Sequence, residues 1–362
     1  MKYLKHKFYG ILFKFFKIFS IKDNRVTFII DSNKSFKGNF DYIKKELQKR
    51  GTFEFNLFYK NNLSFKNFKN LATSKYIFLN DNFFPLAFMN FKDDSKVIQL
   101  WHAPGASKKF GASVSSSDEL EMLLKISNNT DFLFTTSKNI EKFYQEAFQI
   151  DSSKIIPLGI PRVDYYFENH DVEKLKKDFL EKHGFEDKKI ILYAPTFRNE
   201  EKYNNVFNYL NLREFNKHLG EEYVLALRLH PKIKDFSKEN ISYDGYCIDC
   251  SNYESEQELM LISDILITDY SSIMIEFSIL NKPIVFFVYD YDDYIANERG
   301  FYFDFKKTVP GVIVDNSNQL VEIIKNKNFD KEKSDNFVAS QFDTIDGKSS
   351  ERIVDFILNN GA

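Results

Sequence analysis

Two histidines stand where acid–base chemistry can be done. His102 follows the apolar run Val97–Leu100 in the loop Trp101-His102-Ala103-Pro104-Gly105-Ala106, with Lys108, Lys109 and Gly111 just beyond. An unperturbed imidazole titrates near pH 6.5, so at a strand end His102 can take a proton from an attacking hydroxyl at neutral pH. The competing reading is a histidine merely hydrogen-bonded in a turn. His230 closes the run Leu227-Arg228-Leu229-His230-Pro231, after a strand predicted over Val224–Leu229 that Pro231 should stop. Strand alternation predicts Arg228 and His230 on one face. Such a cationic pair suits a diphosphate, because arginine holds two oxygens and a protonated imidazole offsets charge on a leaving group; an interdomain salt bridge is the bland alternative.

The stretch Ile262–Glu276 reads as strand, hydroxyl-rich turn and helix start. There the N–H groups of the first helical turn and the hydroxyls of Ser271 and Ser272 can converge on a phosphate, unless the serines and Asp269 only cap the helix. Asp290-Tyr291-Asp292 has the D-x-D spelling of some metal-dependent glycosyltransferases, but a three-letter match in a Tyr/Asp-rich loop is weak, and no metal is expected. Cys247 and Cys250 form a single C-x-x-C with no second pair, and the nearest histidine is His230, so a reduced pair is expected.

These motifs fall at the ends of short apolar runs. Strands are predicted at Val26–Ile30, Phe53–Tyr59, Tyr76–Leu79, Val97–Leu100 and Phe132–Thr135, and again at Ile190–Tyr193, Val224–Leu229, Ile265–Thr268 and Ile284–Phe287, with helical patterns between them. That alternation is α/β, and two parallel-sheet domains are the economical arrangement. The polar connector Asp164–Asp171 marks the boundary, giving a basic segment 1–22, a domain 23–167 and a domain 168–362. Ligands of such sheets bind at the carboxyl ends of the strands.

The length of 362 residues accommodates two domains. Its 50 basic and 52 acidic side chains nearly cancel, so no global field favours nucleic acid as a partner. Met1–Lys22 has six lysines, no acidic residue, and Leu4, Phe8, Ile11, Leu12, Phe15 and Phe19 at helical spacing. Lys14 and Lys17 interrupt any span of about 20 apolar residues, and the pattern of a secretory signal is missing. A basic, Phe-rich stripe suits a helix lying on an anionic membrane surface, peripheral to the cytoplasmic face; the alternative is a helix packed on the protein body.

Taken together, Tyr76–Asp81, Gln99–His102, Gly159–Asp164, Tyr193–Arg198, Arg228–Pro231, Ser263–Ser272, Asn281–Pro283 and Gly300–Asp304 resemble the CDP-glycerol glycerophosphotransferase family, which primes or extends teichoic acid and related capsule polymers. The resemblance runs from about Arg25 to the carboxyl end and implies a GT-B-like fold of two Rossmann-like domains. It implies transfer of glycerol phosphate, or a related polyol phosphate, from CDP-glycerol or CDP-ribitol to a lipid-linked or polymeric saccharide or polyol-phosphate acceptor. The resemblance further implies in-line attack at the β-phosphorus with release of CMP, and no requirement for a metal or cofactor.

Carried over by position, His102 resembles the base, His230 with Arg228 the group that steadies the pyrophosphate, and Thr268, Ser271 and Ser272 the phosphate contacts. Arg162, Asp164, Arg198, Asp269 and Glu276 take supporting places. Ala103 stands where the family usually has Gly, and Glu276 where Asp is common, so donor or acceptor choice is open to drift. The chain also lacks the large amino-terminal region of the long polymerases, which favours a primase-like or capsule-type transferase. A GT-B glycosyltransferase using a nucleotide sugar and a non-catalytic membrane-bound scaffold are the competing functions.

Overall fold

Runs such as Val26-Thr27-Phe28-Ile29-Ile30 show no polar alternation, as expected of strands covered on both faces. In a computed structural model, which describes residues 3–31, 36–62, 64–230, 232–233 and 247–360, these runs build two parallel sheets. Met1, Lys2 and Pro231 lie outside the described residues.

The first unit comprises residues 1–167 and 340–362. Its sheet contains β1 (Lys22–Ile30), β2 (Glu54–Tyr59), β3 (Ser74–Leu79), β4 (Lys96–Gln99), β5 (Phe132–Phe134) and β6 (Ile155–Ile156), in the order β2-β1-β3-β4-β5-β6. The second unit, 168–339, contains β7 (Lys189–Ala194), β8 (Tyr223–Leu227), β9 (Cys247–Asp249), β10 (Ile265–Thr268), β11 (Ile284–Phe287) and β12 (Val312–Val314), in the order β12-β11-β10-β7-β8-β9. The second order is that of a doubly wound dinucleotide-binding sheet, with its topological switch between β7 and β10; in the first the switch lies between β1 and β3. The α/β, two-sheet expectation therefore holds.

The expected extent of the second domain, 168–362, needs correction. Residues 340–362 belong to the first unit, where Ile353, Val354 and Ile357 of the helix Ser349–Asn360 pack on Phe40, Ile43 and Leu47 of α2 (Asn39–Arg50). Asp164 fixes that return, accepting the backbone N–H of Ser349 at 2.9 Å and of Ser350 at 2.8 Å, together with the Ser350 hydroxyl. Burial raises the Asp164 pKa, against the opposing pull of the bonds from Ser350 and Ser349. Gly159 has φ +99°, and a Cβ there would collide with the Ser349 side chain, so the chain crosses at a point only glycine fits.

The basic segment is not a separate domain either. α1 (Leu4–Phe16) buries Tyr9, Phe13 and Phe16 against Phe68, Leu71, Leu86 and Met89, and Gly10 sits so close to the carbonyl of Phe88 that any Cβ would clash. Leu12 turns to this inner face and not to the stripe expected for it. Leu4, Phe8, Ile11 and Phe15 remain outside, with Ile18 just past the helix end and Phe65 of α3 (Phe65–Ala72) also exposed. No described helix is long and apolar enough to cross a membrane.

Candidate functional site

In the first unit β4 ends at Gln99, and the chain turns sharply through Trp101, whose φ is +61°. A left-handed conformation is rare for a bulky residue and needs surrounding bonds to hold it. One comes from Gln99, whose Oε1 accepts the Trp101 N–H at 2.9 Å. The indole stacks on Phe110, with ring centroids 5.1 Å apart, and meets Phe148 edge-on.

The turn delivers His102 to the surface, its ring 4.1 Å from that of Trp101, with Nδ1 3.3 Å from the carbonyl oxygen of Asn80, which follows β3. A carbonyl only accepts, so Nδ1 carries the proton and Nε2 is the basic nitrogen. Arg162 donates from Nη1 to the His102 carbonyl at 3.0 Å. The rest of the loop is held from behind: Thr136 Oγ1 accepts Gly105 N–H and donates to the Gln341 carbonyl, Gln341 Oε1 accepts Ala106 N–H, and the Tyr144 hydroxyl donates to the Gly105 carbonyl.

In the second unit β8 ends at Leu227, two residues earlier than expected, so Arg228 and His230 are not related by strand alternation. Arg228 Nη1 donates to the carbonyls of Cys250 and Tyr253, both at 2.9 Å. Through Nη1 that guanidinium braces the segment after β9, and the remaining guanidinium N–H groups are the ones that the expected phosphate role would use. His230 is exposed, and its Nδ1 accepts Lys232 N–H at 3.1 Å. In the neutral ring the proton is then on Nε2, so His230 can donate to an anionic oxygen, the opposite polarity to His102.

At the switch point Thr268 is fully buried and its hydroxyl donates to the Ala194 carbonyl at 2.8 Å. Ser271 and Ser272 do reach the surface, ahead of the helix Ile273–Ser278; Ser271 Oγ lies 3.4 Å from Ile273 N as a weak cap. Glu276 is buried and accepts Gln257 Nε2 at 3.1 Å, which supports the helix from beneath.

Asp269 and Arg198 form the base of this turn. Asp269 accepts the Thr196 N–H and pairs with Arg198, while Asp290 accepts Arg198 Nε and Nη2 at 2.8 and 2.9 Å and the Tyr270 hydroxyl at 3.0 Å. Burial works against the Arg198 charge, but Asp269 and Asp290 outweigh it and hold the guanidinium charged well beyond its ordinary range. The D-x-D spelling is thus split, Asp290 being locked to Arg198 inside and Asp292 lying exposed. Cys247 and Cys250 are free thiols; burial pushes Cys250 up to about 12, leaving it protonated and inert.

Asn80, Gln99, Thr136, Gln341 and Asp290 were not singled out as supports by sequence reasoning. Asn80 and Gln99 lay inside quoted motifs, but nothing local marks Gln341, more than 200 residues from the loop it holds.

A family model described as CDP-Glycerol:Poly(glycerophosphate) glycerophosphotransferase matches residues 11–359. A teichoic acid poly(ribitol-phosphate) polymerase from Bacillus spizizenii is 36% identical over 359 residues, which is 95% of this chain and 57% of that protein, so the chain spans little more than half of this relative. A teichoic acid glycerol-phosphate primase from Bacillus subtilis is 35% identical over 298 residues, 80% of this chain and 75% of the relative. Among solved structures, that of the wall teichoic acid polymerase TagF matches with a TM-score of 0.80 at 25% identity, over 99% of this chain and 95% of the other.

Proposed function

The chain belongs to the CDP-glycerol:poly(glycerophosphate) glycerophosphotransferase family, and from that premise we propose that it transfers glycerol phosphate, or a related polyol phosphate such as ribitol phosphate, from a CDP-linked donor to a hydroxyl of a cell-envelope acceptor. The observation that carries the reading is the polarity of His102. With Nδ1–H committed to the Asn80 carbonyl, Nε2 is the nitrogen able to receive a proton.

The acceptor oxygen forms its bond to the β-phosphorus of the donor as the bond from that phosphorus to the bridging oxygen breaks. The acceptor proton goes to His102 Nε2, the polyol phosphate stays on the acceptor, and CMP leaves with the electron pair. His230, donating from Nε2, offsets charge on the departing phosphate, and Ser271 and Ser272 supply hydroxyls to the same group. Metal ions have no part in these steps. The buried Arg198–Asp269–Asp290 cluster keeps the serine turn in place.

The acceptor is membrane-associated in this reading, and the protein works as a peripheral protein at the cytoplasmic face. Supporting this, Leu4 and Ile11 are 69% and 70% exposed on the outside of a helix whose other face is buried, and Ile18, just past its end, is 73% exposed. A contiguous outward apolar stripe flanked by lysines is what an interfacial helix presents to anionic lipid.

The test is a donor screen with mass detection of products, using CDP-glycerol, CDP-ribitol and several UDP-sugars with an isolated envelope acceptor. CMP release with a gain of one polyol phosphate on the acceptor is expected. Sugar transfer from a UDP donor would make the protein a glycosyltransferase, and inertness towards every donor would make it a scaffold.

A further inference from the structure

We propose that Asn39 is a positioning residue for His102, its carboxamide setting both the turn that presents the imidazole and the ring nitrogen that is basic. This rests on the reading of His102 as the base. Asn39 opens α2, belongs to none of the motifs and is 2% exposed. It joins three loops at the carboxyl edge of the first sheet: Nδ2 donates to the Trp101 carbonyl at 2.7 Å and to Asn80 Oδ1 at 3.1 Å, and Oδ1 accepts the Arg162 N–H at 2.8 Å.

Only one orientation of the amide satisfies the two backbone partners, since a rotated group would set its oxygen against the Trp101 carbonyl and its NH2 against the Arg162 N–H. The Trp101 carbonyl belongs to the peptide that joins Trp101 to His102. A bond to it fixes the direction in which His102 leaves the turn, adding to the Gln99 bond that holds Trp101 at φ +61°. The same amide steadies Asn80, whose backbone carbonyl faces His102 Nδ1, and Arg162, whose guanidinium holds the His102 carbonyl. Both peptide groups flanking His102 and the partner of its ring are therefore referred to one buried side chain. With the bonds removed, the imidazole keeps its intrinsic chemistry and loses its place.

Two variants test this. Asn39→Ala removes all three bonds; Asn39→Asp keeps the shape and the acceptor for Arg162 but turns the bond to the Trp101 carbonyl into a contact between acceptors. The readouts are the nitrogen-15 shifts of the His102 ring, assigned with His102→Gln, and steady-state CMP release from the donor found active. In the wild type the Nδ1-protonated tautomer dominates. In both folded variants that preference is expected to be lost, with turnover lower by about 10²-fold and the donor KM little changed, the size of loss that misplacement of a reacting group brings.

A wild-type tautomer and turnover in either folded variant would overturn the proposal. So would failure of both to fold, which would make Asn39 a residue of the fold alone. If His102→Gln itself turns over normally, the base reading falls, while the ring shifts still decide whether Asn39 sets the imidazole.

Discussion

Asp269 accepts the backbone N–H of Thr196 through both carboxylate oxygens, at 2.8 and 3.0 Å, and so ties together the ends of β7 and β10 where the strand order of the second sheet reverses. Ligands of doubly wound sheets bind at such a reversal, and the serine turn 271–272 continues directly from this tie. Arg198 completes it from below, with its guanidinium 5.0 Å from the Tyr270 ring and 5.4 Å from that of Tyr294.

Breaking the cluster from one side should be costly. Asp290→Ala leaves Arg198 buried with a single carboxylate, and loss of one partner from a buried ion pair costs about 3–5 kcal/mol. Urea unfolding followed by circular dichroism should show this loss. A variant within about 1 kcal/mol of wild type, as is usual of exposed pairs, would mean that Asp290 contributes little.

His102→Ala should leave donor binding close to wild type and lower turnover by about 10²–10⁴-fold, the usual contribution of a general base. Calorimetric titration with the CDP donor and CMP-release kinetics separate the two quantities. A variant that turns over like the wild type would remove His102 from the chemistry.

Much of the architecture is legible because continuous apolar runs report strands covered on both faces, as at Val26–Ile30 and Ile265–Thr268. The strands left out, Ile155–Ile156, Cys247–Asp249 and Val312–Val314, are two or three residues long and lie at the sheet edges, too short for any period to register. His102 and Ser271–Ser272 could be located because strand ends and hydroxyl turns are local signals. The bonds of Thr268 and Arg228 were not legible for a common reason: a side chain near a strand end can serve a ligand, a backbone carbonyl or both, and only the fold showed Ala194, Cys250 and Tyr253 within reach. The return of residues 340–362 was hidden because its partners are distant in the chain.

The two faces of α1 should separate in experiment. Phe8→Ser, Ile11→Ser and Phe15→Ser combined change only outward residues, and are expected to release the protein from anionic vesicles in a sedimentation assay while leaving its melting temperature unchanged. Phe13→Ala, on the buried face, should instead cost about 3–5 kcal/mol, as large-to-small changes at buried Phe do, with vesicle binding kept by the folded fraction. Equal sedimentation of the triple variant and wild type would discard the membrane-docking reading. Because Phe13 is 1% exposed, deleting the helix outright would confound the two effects.

The carboxyl-terminal helix offers the last test, since Asp164 is its cap across 185 residues of sequence. Asp164→Ala leaves the N–H groups of Ser349 and Ser350 without their acceptor in a buried setting, and an unsatisfied buried donor costs about 1–3 kcal/mol. Hydrogen exchange should then quicken across 349–360 and in the facing α2, whose Phe40, Ile43 and Leu47 the helix covers. Asn39 is the first residue of α2, so loosening there should reach the His102 turn as a fall in turnover smaller than that of Asn39→Ala. Unchanged exchange over 349–360 in Asp164→Ala would show that apolar packing alone seats the helix.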